Sequence, residues 1–147
     1  MNREDRAAQI ARAIRIFAQK AQLSEEEVRQ IADLFAPWAA DKNYTAGEKV
    51  TYGVSAAGRA QPYIVVQNHT SQAHQPPNAP GMLALYQPVA HRYADNSFEY
   101  IEGMTGIAGM VVRFGGQRWE YLPAGGTAVI WAPSAALAAI WRLVGNG

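Results

Sequence analysis

The sequence predicts an α+β protein, in which an N-terminal helical segment precedes two small β modules of short antiparallel strands. Three observations favour this fold class. Residues 1–36 contain no glycine or proline, although the chain of 147 residues has 13 glycines and 8 prolines. The remainder has short runs rich in Val, Ile, Tyr and Trp between turn-forming residues. One of these runs also recurs later in the chain, so we divide the protein into residues 1–36, 37–90 and 91–147.

The helical segment is rich in alanine and charged residues, which favour helix. An apolar stripe with alternating spacings of three and four follows its first part: Ala7, Ile10, Ile14, Phe17 and Ala21. This heptad-like stripe predicts self-association, and the alternative is packing on the second helix or on the β modules. We expect Ser24 and Glu27 to begin the second helix as a capping box, and Pro37 to end it. We also expect the β modules to fold without residues 1–22, and association to require them.

The β part contains an internal repeat. The stretch YTAGEKVTYG, residues 44–53, aligns without a gap on GIAGMVVRFG, residues 106–115. The main aligned pairs are Gly47 with Gly109, Val50 with Val112, Tyr52 with Phe114, Gly53 with Gly115, and Tyr63 with Trp119. Residues 76–89 and 131–144 close the two copies in a similar way. We therefore predict a tandem repeat in which the paired glycines occupy equivalent bends.

An ordered set of aromatic, glycine and polar residues runs through the first copy. Its members are Trp38, Tyr44, Gly47, Val50, Tyr52, Gly53, Tyr63, Val65, His69, Thr70, Ser71, Pro77, Tyr86 and Val89. This order resembles the small chitin- and cellulose-binding modules of carbohydrate-binding families 5 and 12, over residues 38–89 and more loosely over 98–144. The helical stretch SEEEVRQIADLFAPW directly before it is similar to small tail-associated proteins of bacteriophages and prophages. The resemblance implies a virion protein made in the bacterial cytoplasm. Threefold assembly is the commonest symmetry for tail fittings of this kind, and the sequence leaves the number of copies open.

Trp131 is the first candidate for a glycan contact. In the modules that this chain resembles, an exposed tryptophan ahead of a W-x-P-S segment stacks on a sugar ring, and WAPS at 131–134 retains it. The first copy has Gln75 or Pro76 there. Packing of Trp131 between the copies or against the helices is the alternative. The other candidate glycan contacts are Trp119, Tyr121, Tyr63 and His69.

Some of these aromatic residues also fit a role in the core. Several fall at strand positions that a small barrel must fill, namely Trp119, Trp141, Tyr63 and Tyr86. His69 belongs to the His-Thr-Ser turn, where its alternative role is a local hydrogen bond that shapes the loop.

The sequence offers no pattern typical of catalysis. It has no nucleophile elbow and no phosphate loop, and the few carboxylates of the β part are scattered. It has no cysteine and only three histidines, whereas a metal site needs three or four convergent ligands. We expect no catalytic residue, no metal and no cofactor.

Composition and resemblance together limit the partners. A net charge of +1 gives no general attraction to nucleic acid, and no apolar run is long enough for membrane insertion. We expect a phage tail or baseplate accessory protein, a homo-oligomer that binds other virion tail proteins through its helices and a host surface polysaccharide or receptor through its β modules. One alternative is a purely structural virion protein whose β modules contact other proteins. Another is a cellular chitin-binding module, which the expected lack of a secretory signal disfavours.

Overall fold

A computed structural model describes residues 2–146, so Met1 and Gly147, the outermost residues of the predicted division, lie outside it. Helix α1 spans Arg3–Lys20, helix α2 spans Glu25–Gln30, and a 3-10 helix follows at Ala32–Leu34. The strands of the first module are β1 (Asn43–Tyr44), β2 (Lys49–Val54), β3 (Ala60–Val65), β4 (His69–Thr70) and β5 (Tyr86–Pro88), with a 3-10 helix at Met82–Ala84 before β5. Those of the second module are β6 (Phe98–Glu99), β7 (Thr105–Gly106), β8 (Val111–Phe114), β9 (Gln117–Tyr121), β10 (Thr127–Ala128) and β11 (Trp141–Asn146).

The two modules pair their strands in the same order and register. Strands β2, β3 and β5 form one sheet and β1 pairs with β4, just as β8, β9 and β11 lie side by side and β7 pairs with β10. The equivalent cross-strand partners are Val50–Tyr63 and Val112–Trp119, followed by Val65–Tyr86 and Tyr121–Trp141. The α+β class and its tandem β modules are therefore confirmed.

The bends before the paired strands match as closely as the strands do. Gly47 has φ 91° and Gly109 has φ 90°, a left-handed conformation that residues with a side chain rarely adopt. Each donates its N–H over 2.8 Å to the carbonyl of an equivalent strand residue, Val65 in one copy and Tyr121 in the other. The repeated glycines thus keep the same backbone conformation in both copies.

The second module departs from purely antiparallel pairing. Strand β6 runs parallel to β8, whereas the first module has only an isolated parallel bridge from Pro37 to Thr51. Residue 37 stands where the second copy has Glu99. Proline has no N–H to donate, so a parallel ladder cannot extend through it.

Each module has its own buried cluster. The first consists of Tyr44, Val50, Tyr63, Val65 and Tyr86. The second consists of Ala90, Met104, Val112, Trp119, Tyr121, Val129 and Trp141. A third, smaller cluster joins the helical segment to the end of the first module through Ala18, Val28, Phe35 and Val89. The two copies therefore close separately, as their aligned aromatics suggest.

Side-chain sizes are exchanged between the copies at one core position. Tyr44 fills this position in the first module, in the same buried cluster as Val65, and its Oη accepts a hydrogen bond of 2.9 Å from the N–H of Ala39. The second module has Gly106 there, and a Cβ atom on that glycine would lie 2.6 Å from Cε2 of Tyr121. The first module thus combines the large Tyr44 with the smaller Val65, whereas the second combines Gly106 with the large Tyr121 at the equivalent positions. The two cores are therefore filled differently.

The helical segment largely follows the prediction. The capping box is present, because the N–H of Glu27 donates to Oγ of Ser24 over 3.2 Å and the N–H of Ser24 donates to Oε1 of Glu27 over 3.0 Å. The α-helical part is shorter than predicted, since Ile31 leaves helical geometry and the tighter 3-10 turn follows. This turn places Phe35 in the third cluster. None of the helices within residues 2–146 combines the length and apolar character needed to cross a bilayer.

Only the last turn of α1 contacts the first module. Ala18 and Gln19 are buried, and Nε2 of Gln19 donates to Glu48 over 3.0 Å. Nζ of Lys49 also donates to the carbonyl of Ala21. Deleting residues 1–22 would remove these partners from two buried charged side chains as well as the apolar stripe. Association is therefore better tested by a point substitution in the stripe than by this truncation.

Candidate functional site

Trp131 combines a fixed backbone with an exposed side chain. It lies in the irregular segment between β10 and β11, where its carbonyl accepts a hydrogen bond of 3.0 Å from Nε1 of the buried Trp141. Its own side chain is 58% exposed. The hydrogen bond fixes the segment while the indole stays accessible, which gives the second module a rigid aromatic platform.

The indole of Trp131 lies at a cleft of about 640 Å³ between the two modules. The first module contributes a proline-rich wall, and the second contributes a short apolar one. The residues that line the cleft include Tyr63, Asn78, Pro80, Pro88, Ile101, Glu102 and Trp131. A mostly apolar lining with a few polar groups suits a ligand that has both an apolar face and hydroxyl groups.

This cleft continues into two smaller ones along the junction of the modules. A space of about 260 Å³ shares Tyr63, Asn78 and Ile101 with it. A further cleft of about 280 Å³ shares Ser55, Gln61 and His91 with that middle space. Because neighbouring clefts share lining residues, the three lie next to one another along the junction of the modules, and we call them together the junction groove.

Three of the predicted glycan contacts are core side chains instead. Trp119, Tyr121 and Tyr63 are 6%, 6% and 4% exposed. Trp119 and Tyr121 are two residues apart on β9 and so share its buried face, and Tyr63 lies on the buried face of β3. Tyr63 alone also lines the junction groove, and burial raises its pKa to about 12. Trp119 and Tyr121 belong to the buried cluster of the second module, so their rings leave little surface for a ligand.

His69 makes the local hydrogen bonds that were its alternative role. Oη of Tyr86 accepts a hydrogen bond of 2.8 Å from Nε1 of Trp38, and this oxygen lies 2.7 Å from Nε2 of His69. The carbonyl of Gln67, 2.8 Å from Nδ1, can only accept, so Nδ1 carries the proton of the neutral ring and the hydroxyl of Tyr86 donates to Nε2. His69 thus closes a hydrogen-bond chain in the first module, and it does not line the junction groove.

The apolar stripe of α1 is accessible along its whole length. All five of its members are exposed: Ala7, Ile10, Ile14, Phe17 and Ala21. Phe17 is 77% exposed, and with Ile14 it borders an open apolar cleft of about 650 Å³ whose other side contains Ile31 and Leu34. We call the stripe, Ile31 and Leu34 together the helix surface.

Sequence reasoning did not find the walls of the junction groove. Asn78, Ile101 and Glu102 come from segments that belong to different copies, so no local spacing in the sequence predicts that they line one cleft. The proline-rich run PPNAP was the available signal, because a stiff irregular segment is a suitable groove wall. Within residues 2–146, no three His, Asp or Glu side chains converge in a way that could hold a metal ion.

Comparison of the sequence with models of known protein families gives no match, and comparison with curated protein sequences gives no significant match.

Proposed function

We propose that this protein binds a host surface polysaccharide through the junction groove, as an accessory protein of a phage tail or baseplate. The observation that carries the proposal is the exposed indole of Trp131 at the apolar end of the groove. The virion setting rests on the motif order and on the helical stretch before it. Binding, and no catalysis, is the role assigned to the groove.

The chemistry of a sugar ring fits this end of the groove. A pyranose presents an apolar face of C–H groups, which an indole covers well, and a rim of hydroxyls that needs polar partners. Trp131 supplies the platform, while Asn78 and Glu102 supply an amide and a carboxylate on the walls. The first copy has no equivalent platform, since Gln75 and Pro76 occupy the corresponding positions. One sugar platform per chain therefore follows from the proposal.

Replacing Trp131 with alanine should weaken glycan binding by about tenfold or more, because a stacking aromatic typically contributes roughly 1–3 kcal/mol. Calorimetric titration with chitin oligosaccharides, soluble peptidoglycan fragments and purified host polysaccharide measures this loss. Ile107→Ala is the matched control, since Ile107 lies in the same module, has a similar exposed fraction of 59%, and lies outside the groove. Equal affinities for the Trp131→Ala variant and the wild-type protein would favour the purely structural virion role.

The helix surface supports a second role, self-association. Ile10, Ile14 and Phe17 all expose apolar area on a helix of 18 residues. An isolated helix of this length is only marginally stable in water, so burial of its stripe against other copies would stabilise it. Several copies joined by their helices would present several grooves to one surface, and simultaneous binding raises avidity well above the affinity of one groove.

Ile14→Lys should convert the assembly to monomers, because a lysine in the middle of the stripe would place a charge between the packed helices. Sedimentation equilibrium of the full chain measures the mass. Ala8→Lys adds the same charge to the opposite face of α1 and should leave the assembly intact. If the wild-type protein is itself monomeric at micromolar concentration, self-association is refuted, and the helix surface is then assigned to another virion protein.

A further inference from the structure

The end of the junction groove away from Trp131 is cationic. Its cleft of about 280 Å³ is lined by three arginines, Arg29, Arg59 and Arg92, and Glu26 is the one carboxylate among the described residues that line it. The whole chain has a net charge of only +1, so this is a local concentration of positive charge. We call this end of the groove the arginine cleft.

Arg29 is held firmly in place. Its Nε donates to the carbonyl of Ala90 over 2.6 Å, and its guanidinium lies 4.7 Å from the centre of the Phe98 ring. These contacts bridge α2 to Ala90 at the end of the first module and to β6 of the second. A guanidinium fixed by stacking and by a backbone acceptor loses little further freedom when it binds an anion.

The three arginines outnumber their acidic partners. Glu26 is shared, with its two oxygens 3.4 Å from Nη1 of Arg29 and 2.5 Å from Nη2 of Arg92. Arg59 contacts only Asp33 among the described acidic residues, at 3.4 Å and with its side chain 65% exposed. Each contact to a carboxylate uses one nitrogen of a guanidinium, so each arginine keeps further N–H donors that a carboxylate or a phosphate can accept.

His91 adds a neutral polar group between these cations. Burial, followed by the charge of Arg59, lowers its pKa from the ordinary value of 6.5. The imidazole is therefore uncharged at neutral pH and can exchange hydrogen bonds with a hydroxyl. It also lines the middle of the groove, so it lies on the path from the arginine cleft towards Trp131.

We propose that the arginine cleft binds an acidic group, a carboxylate or a phosphate, on the same polysaccharide chain that stacks a sugar ring on Trp131. This inference rests on the proposed function and narrows it to acidic surface polysaccharides. The three clefts are neighbours, so the proposal requires one extended chain to pass along them from the arginine cleft to Trp131. The arginine cleft is slightly smaller than a typical pocket for a drug-sized ligand, and this size suits one acidic sugar unit or one phosphodiester.

Three probes test the charge preference: oligogalacturonate for carboxylate, poly(glycerol phosphate) for phosphodiester, and a neutral chitin oligosaccharide. The wild-type chain should bind at least one acidic probe about tenfold or more tightly than the neutral one at about 50 mM salt. This preference should shrink at about 500 mM salt, because screening weakens exposed charge pairs. Which acidic probe binds distinguishes carboxylate from phosphate. A neutral probe that binds as tightly as both acidic ones overturns the proposal.

Substitutions test whether the arginine cleft causes the preference for acidic probes. Arg59→Gln with Arg92→Gln should bring the ratio of acidic to neutral affinity to about one, whereas Glu26→Gln should raise this ratio by removing the competing carboxylate. Arg142→Gln is the matched control, because Arg142 is 64% exposed, pairs with Glu120 and lies outside the groove. An unchanged ratio in the double variant overturns the proposal, provided that thermal melting shows it folded. If the double variant is unfolded, an unchanged ratio in Glu26→Gln overturns it.

The failure of this inference differs from failure of the proposed function. If Trp131→Ala loses binding to all probes while the double arginine variant retains the wild-type ratio, the groove binds glycans but the arginine cleft does not select acidic ones. If acidic binding depends on the arginines but Trp131→Ala changes nothing, the arginine cleft stands and the stacking site fails. Wild-type protein that binds none of the three probes contradicts both.

Discussion

Replacing Trp141 with alanine is expected to destabilise the protein by about 3–5 kcal/mol, the usual cost of losing a large buried aromatic side chain. Trp141 is 2% exposed, and its ring centre lies 5.2 Å from that of Tyr121 and 6.3 Å from that of Tyr100. Its Nε1 also holds the carbonyl of Trp131. Urea unfolding followed by circular dichroism measures the change in the free energy of unfolding.

The two tryptophans provide their own control. Trp131→Ala should cost less than about 1 kcal/mol, because an exposed side chain that leaves the core intact contributes little to stability. Trp141→Ala should in addition weaken glycan binding in the fraction that remains folded, since it releases the segment that carries Trp131. Equal destabilisation by the two substitutions would show that Trp131 packs in solution, and would remove the basis of the proposed sugar platform.

Gly106→Tyr is expected to be strongly destabilising alone and to be partly rescued by Tyr121→Val. A tyrosine at position 106 would overlap the ring of Tyr121, and its Cβ atom would also lie 2.6 Å from Cγ2 of Val129, a clash that Tyr121→Val leaves in place. Such overpacking typically costs about 1–3 kcal/mol. Tyr121→Val alone leaves a cavity in the second core, at a cost of about 3 kcal/mol. Together the two changes reproduce the Tyr44 and Val65 pair of the first module.

A double-mutant cycle measures this rescue. The double variant should be about 1–3 kcal/mol more stable than the sum of the single losses, because the new ring enters the space that the old one vacates. Gly109→Ala with Tyr121→Val is a suitable comparison, since a Cβ at Gly109 meets nothing within 4 Å and its own cost comes from backbone strain. If both pairs give additive losses, the equivalence of the two core positions is wrong.

The repeat could be predicted from the sequence because it depends on the local backbone conformation of particular residues. Gly47 and Gly109 must adopt positive φ, and Val50 and Val112 must alternate inward, so the constraints recur at fixed spacing. The capping box of Ser24 was accessible for the same reason, since its partner stands three residues away. Local chemistry of this kind can be recognised in one sequence.

The candidate site was harder to predict from the sequence, because the exposure of each side chain depends on segments that are distant in the chain. The two-residue period of β9 places Trp119 and Tyr121 on one face, and only the packing of the sheet shows that this face is buried. Trp131 lies in an irregular segment with no period, where the resemblance was the sole guide. The arginine cleft was missed altogether, because Arg29, Arg59 and Arg92 come from a helix, a hairpin and a linker. Nothing in their spacing relates them.

The exchange of side-chain sizes between the cores also affects how the chain avoids misfolding. Tandem copies with identical strand registers are prone to swap equivalent strands while they fold. A swapped β1 would bring the ring of Tyr44 against that of Tyr121, and a swapped β7 would leave Gly106 beside Val65 with an empty space. Both hybrids are penalised by packing alone, so each half of the duplication is steered towards its own partner strands. The difference between the copies at this one pair of positions thus disfavours the exchange of equivalent strands during folding.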